Sequence, residues 1–223
     1  MNSNAFLLDL DGVTTDTARY HYAAWKSLTD ELCLHFTQAD NEKLKGISRL
    51  ASLDVILALN DCPNRYSAQQ KEDYANVKNK IYIEMLRSLT EKDILPGIPS
   101  FLAAAKQRGI LLAVASASKN APLVLHQLGL TSAFDYIADA AKIEHAKPHP
   151  EIFLNCAHAL CVDATSCVGF EDAQAGIEAI HSAKMFSVGI GVTVTTQMPD
   201  LALHNTNELQ IDTVLSAIQK RRC

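Results

Sequence analysis

Four short stretches hold the residue types that phosphoryl and acid–base chemistry needs. The apolar run Ala5 to Leu8 leads into Asp9-Leu10-Asp11-Gly12. Positions two apart on an extended chain point the same way, so Asp9 and Asp11 can address one site, and Gly12 permits the turn that follows. Such an acidic turn is also common after strands with no chemistry attached. Ser116 ends a second apolar run and Lys119-Asn120-Ala121-Pro122 opens a helix. A hydroxyl beside free helix N–H groups makes a phosphate cradle, although a plain capped helix start has the same pattern. Lys147-Pro148 precedes a helix beginning near Pro150. A lysine there can neutralise a phosphate, or simply face solvent before a turn. Glu171-Asp172 ends another apolar run and suits a hard cation, or serves only the dipole of the next helix.

Three of the four stretches fall at the C-terminal ends of predicted strands, the edge at which parallel α/β sheets take ligands, and Lys147 follows a loop. Four carboxylates within about 4 Å of one another repel by on the order of 4 kcal/mol per pair at an effective dielectric near 20. One lysine does not offset that, whereas a divalent cation does. Oxygen-only ligands and a phosphate substrate make Mg2+ the expected ion.

The elements that must position these residues read as α/β. Continuous apolar runs at Phe6 to Leu10, Leu111 to Ser116, Ser166 to Phe170 and Phe186 to Ile190 predict strands buried on both faces. Ile98, Phe101, Leu102 and Ala105, and likewise Ile211, Val214, Leu215 and Ile218, mark amphipathic helices. The pattern predicts a Rossmann-like parallel sheet covered by helices. The stretch from Asp16 to Glu91 differs. Tyr20, Ala24, Leu28 and Leu32 repeat every fourth residue, and Tyr74, Val77, Ile81 and Met85 are assigned one helix face. It reads as an all-helical cap domain, residues 16–91, inserted into an α/β catalytic core of residues 1–15 and 92–223. Leu95-Pro96-Gly97 marks the return to the sheet. Two chain crossings would let such a cap hinge as a lid.

The net charge of −5 argues against a nucleic-acid surface, and Lys220-Arg221-Arg222 reads as a solvated tail. The early apolar run is too short for a signal peptide or a membrane span, so a soluble, cytoplasmic protein is expected. Six cysteines at irregular spacing, with no Cys-x-x-Cys pair, read as reduced thiols packed as small hydrophobes.

The order Asp-x-Asp-Gly, Ser, Lys-Pro, Glu-Asp resembles the haloacid dehalogenase superfamily of phosphatases and phosphomutases over nearly the whole chain. Finer stretches are similar to the β-phosphoglucomutases: Thr15-Asp16-Thr17, Tyr20-His21, Trp25-Lys26, Leu44-Lys45-Gly46-Ile47-Ser48-Arg49, Ser116-Ala117-Ser118-Lys119-Asn120 and Glu171-Asp172-Ala173-Gln174-Ala175-Gly176. The resemblance implies interconversion of β-D-glucose 1-phosphate and glucose 6-phosphate through a bisphosphorylated sugar. Asp9 would be the nucleophile and Asp11 the general acid–base. Mg2+ would be held by the Asp9 and Asp172 carboxylates and the Asp11 carbonyl, with Glu171 in its shell. Ser116 and Lys147 would grip the transferring phosphoryl group. Asp11, Trp25, Gly46, Ile47, Ser48, Arg49, Ala117, Ser118, Lys119 and Asn120 would line the sugar and its far phosphate, Arg49 through its planar fork. His21 and Lys78 match positions that aid closure, although a packed histidine and a solvent-facing lysine are the commoner cases.

The chain departs from the family at Leu8, where Phe is frequent, and at Thr14, where an aliphatic residue is frequent. Glu144-His145-Ala146-Lys147-Pro148-His149 is also rich in histidine, which reads as loop surface. A sugar-phosphate phosphatase is the rival reading, with water taking the phosphoryl group from Asp9. The discriminating stretch is Lys45 to Arg49, a second phosphate grip that only a mutase requires. A silent binding protein is disfavoured because both Asp9 and Asp11 are present. A monomer is expected, acting on a small sugar phosphate.

Overall fold

The computed structural model describes residues 5–44, 47–191 and 198–221. The chain divides into two compact units, one formed by Met1–Asp16 with Thr90–Cys223 and the other by Thr17–Leu89.

The first unit is built on parallel strands β1 (Ala5–Leu8), β2 (Leu111–Val114), β3 (Tyr136–Ile137), β4 (Cys167–Glu171), β5 (Phe186–Ile190) and β6 (Leu201–Leu203), in the order β3-β2-β1-β4-β5-β6. Every residue of β1, β4 and β5 is buried, which is why these strands read as unbroken apolar runs. Two expected strands end early. β1 stops at Leu8 and β2 at Val114, short of Leu10 and Ser116. After Leu8 the chain turns, and the N–H groups of Thr14 and Thr15 both donate to the Leu10 carbonyl. The pattern also missed β3 and β6, two- and three-residue edge strands that are only partly buried.

Alternation along β1 divides the core. Ala5 and Leu7 join Ala113, Phe153, Ile177 and Ile180 on one face. Phe6 turns to the other, stacked on Phe101 at 5.5 Å and edge-on to Phe170 at 5.2 Å. The second unit holds helices α1 (Ala18–Glu31), α2 (Gln38–Glu42), α3 (Arg49–Leu59) and α4 (Ala68–Leu86). The first unit holds α5 (Ile98–Gln107), α6 (Ala121–Gln127), α7 (Glu151–Ala159), α8 (Gln174–Ser182) and α9 (Ile211–Arg221). None of the described helices is long and apolar enough to cross a membrane.

The helical unit closes around Trp25, Leu28, Phe36, Leu53, Ile56 and Leu57. Capping boxes at Thr37–Asp40 and Ser67–Gln70 start α2 and α4 by satisfying N–H groups that the first helical turn leaves open. The buried face of α4 is Ala75, Lys78, Tyr82 and Leu86, one step round from the face assigned by hydrophobicity, and Val77 is exposed. The cysteines also differ from expectation in part. Cys156 and Cys167 are buried, but Cys33 and Cys161 are exposed. Both exposed ones sit at left-handed positions that end helical turns, with φ of 53° and 56°. Cys223 lies outside the described residues.

Where the chain passes between the units, its two crossings are joined. Thr15 Oγ1 donates to the Asp93 carbonyl at 2.7 Å, and the Leu95 N–H to the Thr14 carbonyl at 3.0 Å.

Candidate active site

The strand order reverses direction at β1, whose neighbours β2 and β4 lead to opposite edges, and such a switch point opens a crevice at the strands' C-terminal ends. Leu8 is in register with Val114 and Phe170. One residue further on, Asp9 therefore stands between Ala115 and Glu171, and its N–H still donates to the Phe170 carbonyl at 3.0 Å.

Lys147, brought in by the loop before α7, fills the space between these acids. Its Nζ donates to Asp9 Oδ1 at 2.7 Å and to Glu171 Oε1, and its side chain is 1% exposed. Burial works against the lysine's charge, but the Asp9 and Glu171 carboxylates outweigh it and hold its pKa above the ordinary lysine value. Burial, aided by the Asp9 and Asp172 charges and opposed by Lys147, pushes Glu171 up to about 8. Glu171 is further held by N–H donors from Asp172 and Ala173 on Oε2.

The ligand oxygens of Asp9, Glu171 and Asp172 lie within 4.8 Å of one another. A six-coordinate ion with bonds of about 2.1 Å places its ligands roughly 3.0 or 4.2 Å apart, so the three oxygens are close enough together to share one such ion. A divalent cation would supply the positive charge that a single ammonium does not provide for three clustered carboxyl groups, and would favour the ionised form of Glu171. All the donors are oxygen, which favours a hard ion.

Two glycines make room for this cluster. Gly12 has φ +79°, and a Cβ there would lie 2.2 Å from Asp172 Oδ2. A Cβ on Gly176 would lie 2.0 Å from the Glu171 carboxyl carbon. Thr14 stands in the sequence only as a departure from the family's frequent aliphatic residue. It is fully buried, and its hydroxyl donates to the Asp9 carbonyl at 2.9 Å, closing the loop that carries the two aspartates. The signal available was its spacing, a hydroxyl two residues after the turn glycine.

The other first-unit candidates lie in the loops that follow β1 and β2. Asp11 lies in the turn after β1, partly buried and bridged to Thr15, and its carboxylate is outside the triad of ligand oxygens. Ser116 is buried two residues past β2, and its Oγ accepts from the Ser118 N–H at 3.2 Å. Ser118 Oγ accepts in turn from the Asn120 N–H at 3.3 Å, so Ser116 to Asn120 forms two consecutive hydroxyl-closed turns. Ala117 is partly buried within them, and Lys119 is exposed.

The helical-unit candidates form a group of their own. Lys78 is 2% exposed, and its Nζ lies 2.7 Å from His21 Nδ1, 5.1 Å from the centre of the Trp25 ring and 4.7 Å from that of Tyr82. An ammonium has only donors, so Nδ1 accepts and the imidazole proton sits on Nε2. Burial, then Lys78, then Arg49 push the His21 pKa well below its ordinary value, so the ring is neutral. Trp25 is 2% exposed and belongs to the unit's core, against which Ile47 also packs. Ser48 caps α3 by accepting from the Ala51 N–H at 3.3 Å. Arg49 is the first residue of α3 rather than part of the loop before it, and it is partly buried. Lys45 and Gly46 lie outside the described residues.

Comparison with known proteins agrees with this geometry. The model of the haloacid dehalogenase-like hydrolase family matches residues 4–184. β-Phosphoglucomutase of Bacillus subtilis is 40% identical over 93% of this chain and 92% of its own. A fructose-1-phosphate phosphatase of Escherichia coli is 29% identical over 82% of this chain and 94% of its own. The crystal structure of a β-phosphoglucomutase from Clostridium difficile superposes with a TM-score of 0.96 at 44% identity, covering 100% of this chain and 99% of that one. The chain is therefore an enzyme of the haloacid dehalogenase-like hydrolase family.

Proposed function

We propose that the enzyme interconverts β-D-glucose 1-phosphate and glucose 6-phosphate through an aspartyl phosphate on Asp9 and a glucose 1,6-bisphosphate intermediate. The observation that carries this reading is the Asp9 carboxylate at the sheet's switch point, hydrogen-bonded at 2.7 Å to a buried lysine beside two further acids. The 40% and 44% identities to β-phosphoglucomutases, each over nearly the full chain, support the choice of substrate. An Asp9 carboxylate oxygen forms a bond to one phosphorus of the bisphosphate as the bond from that phosphorus to the sugar oxygen breaks, leaving a sugar monophosphate. The departing oxygen takes its proton from Asp11. In the second half the acceptor hydroxyl gives its proton to Asp11 and takes the phosphoryl group from Asp9. Lys147 and Ser116 hold the equatorial oxygens on which charge builds.

Asp9, Asp172 and Glu171, with the Asp11 carbonyl, would hold Mg2+, which supplies positive charge where the phosphoryl oxygens gather. Residues 1–15 and 92–223 serve as the catalytic core and residues 16–91 as a cap, from which Arg49, Ile47, Ser48 and Gly46 grip the phosphate not being transferred. Ala117, Ser118, Lys119 and Asn120 complete the sugar site, with His21, Trp25 and Lys78 supporting the cap. The enzyme works as a monomer in the cytoplasm.

The likeness to a fructose-1-phosphate phosphatase favours hydrolysis as the second reading. One experiment separates the two. With β-glucose 1-phosphate, Mg2+ and a trace of glucose 1,6-bisphosphate, glucose 6-phosphate and inorganic phosphate are followed together. The proposal expects glucose 6-phosphate in large excess, and loss of both products in Asp9→Asn. Phosphate released one-for-one with substrate consumed would make the enzyme a phosphatase.

A further inference from the structure

Outside the acidic centre, the loop that carries Lys147 gathers a second set of metal-binding side chains. His145, His149 and Glu151 each offer one ligand atom, all within 4.8 Å of one another. His145 Nδ1 lies 2.8 Å from Glu151 Oε2, and His149 Nδ1 lies 3.9 Å from the same oxygen. The imidazole rings are 4.5 Å apart, centre to centre. A tetrahedral ion with bonds of about 2.0–2.1 Å spaces its ligands roughly 3.3–3.4 Å apart. The two observed separations bracket that value, so each needs to change by only about half an ångström.

The loop prepares the carboxylate for such a role. Glu151 opens α7, and its Oε1 and Oε2 accept from the N–H groups of Glu144 and His145 at 2.8 and 2.9 Å. These bonds, the one from Glu144 foremost, keep Glu151 below the ordinary carboxylate range and ionised. The histidine side chains are 61% and 49% exposed, so an ion has open access and room for a water ligand. The donor set also differs in kind from the centre at Asp9. Two imidazoles and one carboxylate suit zinc-like ions, whereas three carboxylates suit magnesium.

We propose that His145, His149 and Glu151 form a solvent-facing site for one borderline divalent cation of the zinc type, separate from the acidic centre. The two histidines flank Lys147 in sequence, so an ion there ties down both sides of the residue that touches Asp9.

The test is calorimetric titration of ZnCl2 into the full chain, purified without a histidine tag and kept in saturating Mg2+. One zinc per chain should bind with sub-millimolar affinity. The double variant His145→Gln/His149→Gln, and Glu151→Gln alone, should each weaken binding more than about tenfold. His158→Gln, an exposed histidine elsewhere on α7, should leave binding unchanged. Undiminished binding by the double variant would overturn the site. So would the absence of sub-millimolar binding, or zinc that further Mg2+ displaces, which would place it at Asp9.

Discussion

Gly176 takes no part in the chemistry, yet it fixes where Glu171 stands. The Glu171 side chain is fully buried and held by Lys147 and by the Asp172 and Ala173 N–H groups, and a methyl group on Gly176 would arrive 2.0 Å from its carboxyl carbon. Gly176→Ala should therefore misplace an acid of the proposed Mg2+ site. Displacing such a group typically weakens metal affinity by roughly 10- to 100-fold. The Mg2+ concentration for half-maximal turnover should rise by that factor. The gain in helix propensity, about 0.8–1 kcal/mol, acts against any fall in melting temperature. An unchanged Mg2+ requirement would mean that Glu171 moves aside without consequence. Residue types and spacing in the sequence were enough to nominate Asp9, Ser116, Lys147, Glu171 and Asp172. The glycines' role was not legible, because it depends on a side chain five residues before Gly176 and on one 160 positions after Gly12.

At the scale of elements, legibility followed burial. β1, β4 and β5 are buried throughout and were found, whereas β3 and β6 at the sheet's edges were not. The face of α4 was misjudged for a related reason. A periodicity argument puts lysine outside, but Lys78 has its stem buried and its ammonium shared between His21 and two aromatic rings. This pairing has a consequence with pH. An unfolded histidine has a pKa of about 6.5, and the folded value of His21 lies well below the ordinary one. Above that range the ring is neutral in both states. As pH falls below it, the unfolded chain takes up a proton that the folded chain refuses, so stability is lost progressively. The slope is up to about 1.4 kcal/mol per pH unit until the folded pKa is reached. Melting temperatures between pH 7 and pH 5 should fall more steeply for the wild type than for His21→Gln. Parallel slopes would show that His21 takes up its proton in the folded state.

For the molecule as a whole, the mutase reading demands a second phosphate grip beyond the one built on Asp9. Arg49 at the start of α3 is proposed to supply it. Arg49→Ala should remove a charge-assisted contact worth about 1.5–3 kcal/mol, slowing the mutase reaction roughly ten- to a hundredfold. Hydrolysis of a small phosphate ester should be nearly unaffected, and Arg49→Lys should recover only part of the loss because a point charge lacks the planar fork. Equal losses on both substrates would assign Arg49 to the fold of the helical unit. The insertion itself was readable because apolar residues of Asp16 to Glu91 such as Tyr20, Ala24, Leu28 and Leu32 recur at helical spacing, a contrast that needs no contact information. The sheet order carries a different kind of consequence. β1 lies at the centre of the sheet and is synthesised before the sheet's other five strands, yet its two partners begin only at Leu111 and Cys167. At a synthesis rate of about 5–20 residues per second, β1 waits on the order of 5–20 s for the first of them and longer for the second. The helical unit, Thr17–Leu89, is one continuous stretch and is complete before either partner exists. During synthesis the central strand is therefore the part of the sheet that stays unpaired longest.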